Sequence, residues 1–229
     1  MKENVFARVA KENAIFKDDR MLTPEYIPEV LPHRENQINS LVYALKPLAE
    51  GGKPSHVFVS GPPGTGKTAT LKFVMQQLKD FSARVKPVYF NCFGHNTRQS
   101  VLAELTKVVE RPVPARGMST NELYSKVLEG LKFAKFVPVI VLDEFDQLLV
   151  NDGNELLYDI LRVPEHGRAA IPIVLISNDP TIPSKLDARV RSSLSPEIIE
   201  FHSYTPAQLK DILRERATLA FHPNVLGDE

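Results

Sequence analysis

The densest chemistry in the sequence lies in eight residues, Gly61-Pro62-Pro63-Gly64-Thr65-Gly66-Lys67-Thr68. They follow the pattern G-x-x-x-x-G-K-T. Phosphate oxygens need many convergent N–H donors, so the backbone must come close, and Gly64 and Gly66 permit that. Lys67 can reach the β and γ phosphates of a nucleotide as a point charge. Thr68 offers a hydroxyl to Mg²⁺. The residues from Ala69 to Asp80, ATLKFVMQQLKD, read as a helix whose positive end points at the anion. A plain Gly/Pro turn is the bland alternative. The full match, with an apolar run before it and a helix after it, favours the phosphate loop.

Two acids, Asp143 and Glu144, close the apolar run VPVIVL at 137–142. Asp143 would hold Mg²⁺ through water, and Glu144 would polarise an attacking water. Acids also end strands simply because they meet solvent; the phosphate loop 75 residues earlier favours the chemical reading. Asp146 reads as a capping or solvent residue. Ser177 and Asn178 end the next apolar run, IPIVLIS. The Asn178 amide could bind the γ phosphate or the lytic water, or it could merely start a turn before Asp179-Pro180. Arg189 and Arg191 could reach a neighbouring subunit's γ phosphate as arginine fingers, or could line a solvated basic turn. Cys92, His95 and His166 have no metal-ligand spacing and read as structural.

The elements needed to position these groups are legible in outline. Residues 1–23 read as an exposed, partly helical arm, and LTPEYIPEVLPHREN as an extended, proline-marked segment. Residues 34–49 form a helix with Ile38, Leu41, Val42 and Leu45 on one stripe. Strands are expected at 56–60, 86–91, 137–142, 171–177 and 197–201. Helices are expected at 97–110, 119–134, 154–163 and around 184–193. Alternating strands and helices define an α/β domain with a parallel sheet, whose ligands sit at the carboxyl ends of the strands.

A last helix starts at Pro206. Thr205-Pro206-Ala207-Gln208 is a capping box, with Tyr204 and Leu209 at the positions of a hydrophobic staple. Leu209, Ile212 and Leu213 are expected on a buried stripe that Arg216 shares, with Arg214 and Glu215 pointing away.

Composition narrows the function classes. Lys+Arg and Asp+Glu both number 28, so the chain is not a non-specific nucleic-acid binder by bulk charge. A single cysteine excludes an internal disulfide and fits a reducing compartment. No apolar run approaches a membrane span, and the N-terminus lacks the apolar core of a secretory signal.

The phosphate loop, Asp143-Glu144, Asn178 and the Arg189/Arg191 segment occur in the order of the AAA+ ATPases, which the chain resembles. Within them it is similar to the archaeal initiators of the origin recognition complex and cell division control family. YIPEVLPHRENQI, GPPGTGKTAT, YFNCFGHNTRQSVLAEL, VIVLDEFDQLL, LISNDP, LDARVRSSL and FHSYTPAQLKDILRERA carry that resemblance across essentially the whole chain. It implies a P-loop AAA+ core over 1–203, with an initiator-type helical insertion at about 92–118 that contacts DNA. The start of a helical lid follows over 204–229, and the chain stops within that lid. By the same resemblance Gly64, Thr65, Gly66, Lys67, Thr68 and Ala69 cradle the phosphates of ATP or ADP with Mg²⁺. Asn178 is the first sensor, and Tyr204 and Arg216 bind nucleotide from the lid. A Ser-Arg pair supplies the trans-acting arginine in many relatives; Ser192-Ser193 stands there in this chain. The implied function is slow ATP hydrolysis by a cytoplasmic, nucleoid-associated initiator. It would bind origin duplex DNA, self-associate through AAA+ surfaces and help load a replicative helicase. A clamp-loader or helicase-type motor, or a signalling NTPase without DNA, are the alternatives.

Overall fold

The computed structural model describes residues 15–23, 26–109, 117–167, 169–223 and 225–226. Its strands are β1 Val57–Ser60, β2 Val85–Asn91, β3 Val137–Asp143, β4 Ile173–Ser177 and β5 Glu197–Glu200. Its α-helices are α1 Glu35–Ala49, α2 Lys67–Phe81, α3 Arg98–Val108, α4 Thr120–Phe133 and α5 Phe145–Leu149. Then follow α6 Gly153–Leu161, α7 Ile182–Lys185, α8 Ala188–Leu194 and α9 Pro206–Ala220. Short 3₁₀ turns lie at Asp19–Leu22 and Val163–His166.

The chain divides into two compact units. Arg34–Ser203 is the larger. Its five strands pair in parallel in the order β2-β3-β4-β1-β5. Successive strand side chains point to opposite faces, and here both faces are apolar. Phe58, Ile140, Leu142, Ile173 and Leu175 pack on the side of α3, α4, α5 and α6. Val57, Val59, Val139, Val141, Val174 and Ile176 pack on the side of α1 and α2. Two-sided burial is what a parallel sheet with crossover helices requires.

The second unit joins the segments on either side, residues up to 33 and from 204 on. Residues 15–22 are mostly exposed and carry a 3₁₀ turn, as the arm reading expects, but they are tied down within this unit. Phe16 forms an antiparallel bridge with Phe221, their rings 5.1 Å apart, and the Lys17 N–H donates to the Ala220 carbonyl at 2.7 Å. The pairing joins the two ends of the chain, so no local sequence pattern announces it. Residues 1–14 lie outside the described residues.

The expected capping box of α9 is present: the Gln208 N–H donates to Thr205 Oγ at 3.3 Å, and the Thr205 N–H donates to Gln208 Oε1 at 2.9 Å. The expected buried stripe is not. Leu209 and Leu213 are exposed, and Glu215 is half-buried alongside Ile212 and Arg216. Within this unit the apolar cover is the Phe16 segment, which meets the far end of α9 beside the buried Ala220.

His56 pins the entry of β1 into the sheet. Its Nδ1 accepts the Ile173 N–H at 3.2 Å, and its carbonyl accepts the Glu197 N–H at 2.8 Å. Burial, helped by Lys53, lowers its pKa from 6.5 to about 4. The unfolded chain therefore takes up a proton that the folded chain refuses as pH falls through 6.5. Stability should drop by up to about 3 kcal/mol between pH 6.5 and 4. In His56→Asn, an Oδ1 can accept the same N–H without titrating. Denaturant melts of both proteins across that window should show a flatter slope in the variant; equal slopes would refute the assignment.

Candidate nucleotide-binding site

The carboxyl ends of β1, β3 and β4 lie side by side, because these strands are neighbours in register: Ser60 opposite Ser177, Leu142 opposite Leu175. The phosphate loop, Asp143-Glu144 and Asn178 each stand at one of these ends. Gly61 leaves β1 at φ 150°, and a Cβ there would sit 2.2 Å from the Phe201 carbonyl oxygen, so the tight turn demands glycine. Gly64 and Gly66 hold φ of 75° and 86°, the left-handed region that glycine enters without a Cβ penalty. The chain then enters α2, whose first turn carries Lys67, Thr68 and Ala69. The N–H groups of that turn have no partner inside the helix and face an anion by default.

Lys67 is buried, and its ammonium donates to the carbonyls of Gly61 at 2.7 Å and Pro62 at 2.9 Å, and to Asn178 Oδ1 at 2.7 Å. Burial pulls its pKa below the ordinary lysine value, while Glu144 and Asp143 oppose the shift. Thr68 Oγ donates to Asp143 Oδ2 at 2.8 Å, so the two expected Mg²⁺ ligands converge. A hydroxyl and a carboxylate are the hard oxygen donors that Mg²⁺ selects, and this donor pair fits the ion.

Glu144 stands between β3 and α5 at φ 54°, a left-handed conformation that costs a non-glycine residue roughly 1–2 kcal/mol. Its carboxylate accepts the Asn178 amide at 3.2 Å. Asn178 thus links the lysine on one side to the glutamate on the other. Burial pushes the Glu144 carboxyl above its ordinary value, and Asp143 and Asp146 push it further.

Three participants were not expected at the site. Tyr89, from β2, donates its hydroxyl to the same Asp143 Oδ2. Burial and that hydrogen bond raise its pKa far above the ordinary phenol value, so it stays a donor. Arg34, just before α1, donates to the Thr65 carbonyl. Asp146 is neither a helix cap nor a plain solvent residue: its Oδ1 accepts the Ser177 hydroxyl at 2.8 Å, tying α5 to the end of β4. Periodic alternation on β2 could have flagged Tyr89, but only the fold shows what it touches.

Arg189 and Arg191 are exposed on α8; the Arg189 guanidinium lies over the Tyr158 ring at 5.3 Å, and Arg191 donates to the Ser184 carbonyl at 3.4 Å. Tyr204 and Arg216 are half-buried in the second unit. Cys92 is buried and its thiol is pushed up to about 12, chiefly by burial, which leaves it unreactive at neutral pH. His95 and His166 stack edge-on against Phe90 and Tyr124. In the expected insertion Arg98 is paired with Asp159 at 2.7 Å, while Arg111 and Arg116 lie outside the described residues.

A five-stranded parallel sheet with a phosphate loop after β1 and an Asp-Glu pair at the end of β3 defines a P-loop nucleotide-binding fold. The family model described as AAA domain matches residues 51–182, more than half of the sequence, and the chain belongs to that family of nucleotide-binding ATPases. The chain is 43% identical over 217 residues to the ORC1-type DNA replication protein 1 of Sulfurisphaera tokodaii, covering 94% of this chain and 54% of that one. The Aeropyrum pernix ORC1 protein, solved in complex with DNA, superposes with a TM-score of 0.86 at 36% identity, over 95% of this chain and 57% of that one. The Aeropyrum pernix ORC2 protein, solved in ADPNP-ADP complexes, gives 0.81 at 26% identity, over 93% and 59%. The chain spans just over half the length of these relatives.

Lys67→Ala should weaken ATP binding by roughly 10- to 150-fold, the worth of one charge-assisted hydrogen bond. Titration calorimetry checks it, and unchanged affinity would remove Lys67 from the site. Tyr89→Phe should leave ADP affinity without Mg²⁺ unchanged and weaken the Mg²⁺-dependent increment, since Asp143 loses one of its two hydroxyl donors.

Proposed function

We propose that the chain is the nucleotide-binding part of an ATP-switched DNA-replication initiator. The observation that carries this reading is the convergence of Lys67, Asn178 and Glu144, with Thr68 and Asp143, at the ends of β1, β3 and β4. The names and titles of the similar ORC1-type proteins supply the biological setting.

In the proposed cycle the N–H groups from Gly64 to Ala69 hold the phosphates, and Lys67 exchanges Asn178 Oδ1 for a phosphate oxygen. Thr68 and Asp143 hold Mg²⁺, which when bound offsets charge on the β and γ phosphates. Glu144 takes a proton from the attacking water, and Asn178 orients that water or the γ phosphate. Hydrolysis is slow and acts as a switch. Arg189 or Arg191 acts on a neighbouring subunit's nucleotide. Residues from 204 on start a lid, from which Tyr204 borders the adenine and Arg216 meets phosphate or ribose. The partners are origin duplex DNA and a replicative helicase, and the setting is the cytoplasm at the nucleoid. Among the described residues no helix is long and apolar enough to cross a membrane.

Glu144→Gln keeps the shape and the Asn178 contact but cannot accept a proton. It should bind ATP normally and lower single-turnover hydrolysis by roughly 100-fold or more. Because the Glu144 carboxyl is held above its ordinary value of 4.5, the rate in the parent protein should fall with acidity at a pH higher than that value. That limb should vanish from the residual rate of the variant. Retained turnover would exclude Glu144 as the base.

For DNA, this chain alone should bind duplex weakly and with a small salt slope. Its net charge is zero and Arg98 is committed to Asp159. A gel shift at two salt concentrations measures both. Tight, sequence-specific binding would show that this chain reads the site itself.

A further inference from the structure

Arg34 is the first residue of the larger unit, directly before α1, and only 4% of it is exposed. Its Nε and Nη2 donate to the Thr65 carbonyl at 3.0 and 2.7 Å. The same Nη2 donates to the His202 carbonyl at 3.0 Å, and the guanidinium lies over the Phe201 ring at 5.2 Å. A cation this deep is costly unless its N–H groups are satisfied. Here the phosphate loop itself supplies an acceptor.

The Thr65 carbonyl is one half of a peptide unit whose other half is the Gly66 N–H. In a trans peptide the two point in opposite directions. A carbonyl held toward Arg34 therefore directs the Gly66 N–H away from it. Gly66 has φ 86°, and glycine populates both signs of φ, so this peptide is a joint of the loop that could turn over cheaply. Turned over, it would offer phosphate a carbonyl oxygen in place of a donor. The Thr65 hydroxyl cannot prevent that, because its acceptor, the Pro62 carbonyl at 2.8 Å, anchors the side chain and leaves the following peptide free.

We propose that Arg34 is a positioning residue of the phosphate loop, locking the Thr65–Gly66 peptide so that the Gly66 N–H serves the nucleotide phosphates. This rests on the phosphate-loop reading above. The lock is anchored outside the loop. Arg34 also grips His202, and Phe201 abuts Gly61, so the chain just after β5 backs the loop at its start and, through Arg34, at Thr65. Lysine is a poor substitute, since a point charge cannot span two carbonyls as the guanidinium fork does.

The test uses the 229-residue chain with Arg34→Met, which keeps most of the side-chain volume without donors, Arg34→Lys, and Lys67→Ala as reference. Calorimetric titrations with inorganic tripolyphosphate, ADP and adenosine separate the phosphate share of affinity from the base share. Arg34→Met should weaken tripolyphosphate and ADP by roughly 10- to 100-fold and adenosine by less than about 3-fold, with Arg34→Lys between parent and Met. The Gly66 amide resonance should move in the Met variant without nucleotide. Parent-like tripolyphosphate binding in Arg34→Met overturns the proposal, and so does an equal loss of tripolyphosphate and adenosine, which a merely structural residue would give. If the Met variant does not fold, the same ratio in Arg34→Lys decides. Loss in Lys67→Ala with none in the Arg34 variants overturns Arg34 alone. No loss in Lys67→Ala overturns the phosphate-loop reading itself.

Discussion

The two-sided burial of β1, β3 and β4 governs everything else in the larger unit. Phe58, Val139, Ile140, Val141, Leu142, Val174 and Leu175 are wholly buried, so these strands have no face on which a polar side chain could be solvated. The polar groups of the site are thereby gathered at the strand exits: Gly61 after Ser60, Asp143 and Glu144 after Leu142, Asn178 after Ser177. Parallel pairing then puts all three exits on one edge of the sheet. The burial that stabilises the sheet is the same constraint that gathers the site, and the helix entering from the loop adds its partial positive charge at that edge.

Around that edge the charges hold each other in place. Asp143 accepts two hydroxyls on one oxygen, from Thr68 and Tyr89, and the Glu144 N–H at 3.0 Å on the other. Three donors fix its rotamer and spread its charge. Glu144 has one amide contact, from Asn178, and a strained backbone. Burial and two neighbouring acids raise its pKa. The contrast supports the proposed division of work between adjacent carboxylates: the well-donated one suits a fixed electrostatic ligand, and the under-donated one suits a proton acceptor.

What could be read from the sequence was whatever is local. The apolar runs at 137–142 and 171–177 announced buried strands, and the G-x-x-x-x-G-K-T spacing announced the loop between strand and helix. Helix ends with side-chain caps, such as Thr205 with Gln208, were also legible, since a cap spans four residues. Contacts between distant segments were not. Arg34 meets Thr65 and His202 across 31 and 168 positions, and Phe16 meets Phe221 only because both ends of the chain enter one unit. The stripe on α9 failed for a related reason. Spacing tells which side chains share a face, but whether Leu209 and Leu213 are covered depends on what packs there. The helix α5 and the left-handed backbone of Glu144 had no sequence signal, because a five-residue helix has too few turns to show a period.

The lysine makes the last connection between fold and chemistry. An ammonium has three protons, and in this structure all three have acceptors: two loop carbonyls and the Asn178 side chain. The carbonyls of Gly61 and Pro62 belong to the loop and move only if the loop does. Asn178 is exposed and is held otherwise through Glu144, so it is the partner most readily exchanged for a phosphate oxygen. That exchange would free the Asn178 Oδ1 and leave its amide on the glutamate. The side chain best placed to register a phosphate at Lys67 is thus already bonded to the carboxylate that would act on water. The two events are joined by a single amide, five atoms from one functional group to the other, without any need for the sheet to move.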